Sequence, residues 1–222
     1  MGVDPLREVV WATAAVAALL GLGEALAALG PVAAQVGGVV VAAGFVGVPL
    51  AIARARRLAG DVWAVDPPLG PSALWGLGVA AAVLPVYALG FDAWQVHVAG
   101  RVRAVPAVLD PLAWLEAGVV QLGAVALPEE LFFRGYVLGR LRVQWPGGVT
   151  VLGARVGPAH VAAAGLFAAV HLVAVPAPFR LLVFFPGLLF GWVAERSGSA
   201  VAAAVLHALC NLALQGLWAC YR

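Results

Sequence analysis

Residues 112–138 read LAWLEAGVVQLGAVALPEELFFRGYVL. A helix crossing a bilayer needs about 20 mostly apolar residues, and this run exceeds that. It is expected to be either a span that continues into an interfacial helix or one strongly tilted helix. Its second half nevertheless carries Glu129, Glu130 and Arg134. An ionisable group in hydrocarbon costs between roughly 2.5 and more than 10 kcal/mol, so such groups are rare there and mark function.

Six further apolar runs surround it: Val9–Leu29, Pro31–Ala53, Ala73–Phe91, Pro158–Val175, Leu181–Ala194 and Ala200–Trp218. The first two meet at a tight Gly30-Pro31 turn. Pro/Gly-rich connectors lie at 66–71, 145–148 and 176–178. The pattern predicts an all-α, polytopic transmembrane helix bundle of seven spans. Val96–Val108 is the place for an eighth, shorter element. With no repeat or linker to divide it, the chain reads as one membrane domain over residues 1–222, with 112–218 as the part that carries the chemistry.

Composition agrees. The chain is 64% hydrophobic and 11% charged, with a mean hydropathy of +1.00. A soluble domain carries about 25% charged residues. A net charge of +2, scattered along the chain, argues against a nucleic-acid partner. All 13 basic residues are arginine, and Ala, Gly and Val dominate, as in a high-GC bacterial genome. The first apolar run lacks a basic leader and a small-residue cleavage site, so it is expected to be a retained span. With the N-terminus in the cytoplasm, Arg101, Arg103, Arg180 and Arg222 fall outside and the other nine arginines inside, led by Arg54, Arg56 and Arg57. The expected location is the bacterial cytoplasmic (inner) membrane. Cys210 and Cys220 lie ten residues apart on one helix, ~15 Å, too far for a disulfide. Glu24 is expected to be the sole buried acid of the first three spans.

Three polar sets interrupt the later runs: Glu129-Glu130-x-x-x-Arg134, Phe167-x-x-x-His171 and His207-x-x-x-Asn211. Glu129 and Glu130 point about 100° apart, so they have different jobs. Glu130 and Arg134 stand at i and i+4 in the favourable order for a helical ion pair. Arg134 therefore fixes Glu130 and leaves Glu129 to face another helix. Pro128 is expected to bend the helix at this point. Taken singly, each set has a structural alternative: an interfacial salt bridge, a hydrogen-bonded core histidine, or helix–helix glue. Three such sets on three spans point to one converging site.

The three serines, Ser72, Ser197 and Ser199, sit in or beside loops, away from any Gly-x-Ser-x-Gly setting. His-Glu-x-x-His and Gly-x-Gly-Asp motifs are absent from the sequence. What remains is a carboxylate, two histidines and an amide. A glutamate with a histidine can deprotonate water, and a histidine with an asparagine can donate to an oxyanion. That suffices for amide hydrolysis without a cofactor. The same atoms as a Glu/His/His zinc site are the minority alternative. A transporter would also place ionisable groups at mid-depth, but the first three spans carry no matching set.

The ordered motifs resemble the CPBP family, the type II CAAX prenyl endopeptidases and their bacterial relatives, which include bacteriocin-processing and immunity proteins. The resemblance covers about Leu112 to Trp218 and implies an intramembrane glutamic endopeptidase, a CAAX-type protease. By motif position, Glu129 and His171 would activate the water, and His207 and Asn211 would stabilise the oxyanion. Glu130 and Arg134 match the supporting positions. The implied partners are the lipid bilayer and a membrane-associated protein or peptide substrate. One bacterial branch is similar to the sorting proteases called myxosortases. The alternative within the family is a non-catalytic immunity or accessory protein.

Overall fold

The computed structural model describes residues 4–56, 69–104 and 110–222. Arg57, the start of the 66–71 connector and the end of the Val96–Val108 stretch lie outside the described residues. The described residues form a bundle of seven helices: α1 (Pro5–Ala27), α2 (Pro31–Ala55), α3 (Leu69–His97), α4 (Pro111–Gln144), α5 (Pro158–Ala174), α6 (Pro178–Ser197) and α7 (Ala200–Trp218). Six are long and apolar enough to cross a membrane, and α5 is a shorter apolar helix of 17 residues.

Local chemistry sets the helix ends. Asp4 and Asp110 each accept a hydrogen bond from the backbone N–H two residues on, with proline in the first helical position. Ser199 caps α7 in the same way. The α1–α2 turn passes through Gly30 at φ 126°, a conformation for which glycine is suited. Beyond His97, residues 102–104 run beside the C-terminus: Val102 and Arg222 exchange backbone hydrogen bonds, and Ala104 N–H donates to Cys220.

α4 is the centre of the bundle and packs against α1, α2, α5, α6 and α7. Its first half is largely exposed, whereas 132–138 is buried throughout. Phe132 and Phe133 meet Phe45 of α2 and Phe167 of α5 in edge and tilted ring contacts, the heart of the core. α3 lies on α7, where Gly76 is indispensable: a Cβ there would stand 2.5 Å from the Ala202 carbonyl oxygen. Small residues at such crossings let helices approach in lipid.

Three features depart from expectation. First, α4 is one continuous helix whose irregularity is not a simple bend at Pro128. Wide π-helical turns at Gln121–Ala126 and Leu131–Val137 flank a regular segment, Leu127–Glu130. Second, Glu24 is exposed, and the buried acid of α1 is Glu8. Its carboxylate accepts from the Tyr136 hydroxyl at 2.7 Å and from Arg140 at 3.0 Å, and Arg56 stands 3.1 Å away. This network ties α1 and α2 to the last turns of α4. Third, a β-hairpin, β1 (Val149–Val151) and β2 (Ala154–Val156), fills the connection between α4 and α5. Val151 pairs with Ala154, and Leu152 and Gly153 turn with φ 48° and 84°. Two positive φ values in a two-residue loop match the twist of a hairpin.

Candidate active site

The second motif helix supplies the frame. Phe167 is almost wholly buried, and its ring lies 4.5 Å from the His171 ring and 5.8 Å from the His207 ring. The Arg134 guanidinium carbon sits 4.4 Å over the same ring. One side chain thus touches members of all three polar sets. Gly187 of α6 lets that helix close in, since a Cβ there would reach Phe167 at 3.0 Å. Its carbonyl accepts a 2.9 Å bond from Arg134.

Glu130 is fully buried and doubly engaged. Arg134 Nη1 donates to Oε1 at 3.0 Å, and Nε lies 3.0 Å from Oε2, within ion-pair reach though not aligned as a hydrogen bond. His207 Nδ1 stands 2.9 Å from Oε1. Oε1 already accepts from Arg134 and accepts here too, so Nδ1 carries the proton and Nε2 faces away. The Arg134–Glu130 ion pair read from the i, i+4 spacing is therefore present, and it extends to α7. The Phe190 ring stacks on His207 at 4.7 Å and holds its plane.

His171 hydrogen-bonds backward, with Nδ1 at 2.7 Å from the Phe167 carbonyl oxygen. The carbonyl can only accept, which puts the proton on Nδ1 and leaves Nε2 as the lone-pair nitrogen of the neutral ring. Glu129 is half-buried, and its Oε2 is shielded from solvent with no hydrogen-bond partner among the described residues. No direct hydrogen bond joins Glu129 to His171.

Asn211 brings in a residue that the sequence did not single out. Its Nδ2 donates to Gln121 Oε1 at 3.0 Å. Gln121 and Glu130 are nine residues apart, and at about 100° per residue a regular α-helix would set them on opposite faces. Both nevertheless meet α7. The wide turn at 121–126 takes out about one residue's worth of rotation and turns Gln121 towards the side where Glu130 finds His207. Wide turns of this kind recur at functional sites.

Residues 111–213 match the family model described as type II CAAX prenyl endopeptidase, Rce1-like. This segment is an Rce1-like domain. It begins at the first residue of α4 and ends within α7, so it contains all six polar residues and Gln121, while α1–α3 stand outside it. The Rce1-like proteins are a family of CAAX-type proteases, so the domain falls in a family of membrane hydrolases. No curated protein and no solved structure matches the chain.

Proposed function

We propose that the chain is an intramembrane endopeptidase that hydrolyses a peptide bond in a membrane-associated protein or peptide, in the bacterial inner membrane with its N-terminus in the cytoplasm. Glu129, with the lone-pair nitrogen of His171, takes the proton from the attacking water. His207 and Asn211 donate to the oxyanion of the tetrahedral intermediate. Glu130 and Arg134 hold His207 in register.

The observation that carries this reading is the buried, unpartnered Oε2 of Glu129. A buried polar atom without a partner calls for a ligand or an activated water. The His207 contact supports the rest. With Nδ1 held by Glu130, Nε2 faces away from that carboxylate, and when it carries a proton it is the donor for the oxyanion. Collapse of the intermediate then passes the proton held by Glu129 to the leaving amine.

The test is Glu129→Gln, which keeps the shape and removes the base. Membrane proteomes of cells carrying wild type and variant are compared for new N-termini. Cleavage is expected to fall by at least about 10²-fold with unchanged expression and melting. Wild-type turnover by this variant would end the glutamic-protease reading.

A further inference from the structure

We infer that Gln121 is a positioning residue for the oxyanion site: it orients the Asn211 amide so that the second Nδ2–H is presented to the reacting carbonyl. This rests on the reading of Asn211 as an oxyanion donor and goes beyond it, since Gln121 lies outside the three motifs.

A side-chain amide has two chemically opposite ends, an acceptor oxygen and a donor nitrogen with two hydrogens. A half-turn about its last torsion exchanges them and would aim the wrong end at an oxyanion. Asn211 has donated one of its two hydrogens to Gln121 Oε1. While that bond holds, the nitrogen end is fixed towards α4 and the other hydrogen remains for the substrate. The bond costs α4 its regular winding, because only the wide turn at Gln121–Ala126 brings residue 121 round to α7. The neighbouring contacts on that face are purely apolar: Trp114 packs against Gly216 and Gly118 against Leu212. They hold the two helices together but cannot choose between the ends of an amide. Gln121 makes that choice as long as its own amide keeps Oε1 towards Asn211.

The experiment compares Gln121→Met, which keeps length and loses the acceptor, with Gln121→Glu, which keeps an accepting oxygen. Each is assayed in proteoliposomes on an internally quenched peptide in which an S-farnesyl cysteine is followed by the remaining residues of a CAAX box. In parallel, protein labelled with asparagine ¹⁵N in the side chain reports the Asn211 amide by NMR. For Gln121→Met, kcat is expected to fall about 10- to 100-fold with KM little changed, as for a misplaced catalytic group. Gln121→Glu should fall between that variant and wild type. Gln121→Met/Asn211→Ala should be no slower than Asn211→Ala alone, and the Asn211 amide signal should shift in Gln121→Met. Unchanged kcat in Gln121→Met, additive losses in the double variant, or an unmoved Asn211 signal would each overturn the inference. If Gln121→Met does not fold, Gln121→Glu decides: a loss as large as that of Asn211→Ala overturns it, because the retained acceptor should still hold the amide. If wild type leaves the peptide uncut, that failure belongs to the protease reading or to the choice of peptide. The NMR comparison then judges Gln121 on its own.

Discussion

Glu130 Oε1 and His207 Nδ1 stand 2.9 Å apart across the α4–α7 contact, and both side chains are almost wholly buried. This bond joins the first motif to the third and fixes the Nδ1–H of His207 on Glu130. It also means that Glu130 is shared between a cation on its own helix and an imidazole on another.

Removing either charge of the Glu130–Arg134 pair should therefore damage the fold before the chemistry. Glu130→Ala and Arg134→Ala each strand a buried charge, which costs roughly 3–5 kcal/mol. Both variants should melt well below wild type in detergent. Melting like wild type in both would show that the pair is not holding the core.

Asn211→Ala should act on the rate. An oxyanion donor works mainly on the transition state, and loss of one costs about 10²–10³-fold. Steady-state kinetics on a cleaved peptide should show that fall in kcat with little change in KM. A change confined to KM would make Asn211 a substrate-binding residue.

Activity should survive exhaustive chelation, and purified protein should hold no stoichiometric zinc by elemental analysis. Loss with chelator and recovery with zinc would turn His171 and His207 into ligands.

The Glu8 network makes a prediction far from the chemistry. Glu8→Ala removes the acceptor shared by Tyr136, Arg140 and Arg56. A charged hydrogen bond of this kind contributes about 1.5–3 kcal/mol. The variant should lose thermal stability by that order, and Glu8→Gln should lose less.

The spans were legible because lipid leaves a helix few alternatives, and long apolar runs announce it. The polar sets were legible for the same reason, since a charge in such a run is conspicuous. The different surroundings of Glu129 and Glu130 followed from the 100° step between neighbours. Gln121 was not legible, because a regular helix sets it opposite Glu130, and only the wide turn cancels that. Glu8 escaped notice because it precedes the first apolar run and its hydrogen-bond partners Tyr136 and Arg140 lie 128 and 132 residues away. The hairpin escaped because its turn opens with Leu152, exposed and at φ 48°, where such turns favour Asn or Asp.

The wide turn at Gln121–Ala126 also divides α4 into two independently phased halves. Deleting one residue inside it would restore ordinary winding and swing everything from Pro111 to Val120 by about 100° about the helix axis. Trp114 would leave Gly216, while Glu129, Glu130 and Arg134 would keep their places. The extra residue therefore acts as a rotational shim. It lets the first half of α4 be refitted to α7, and through it to whatever lies in the membrane beside them, without disturbing the charged half.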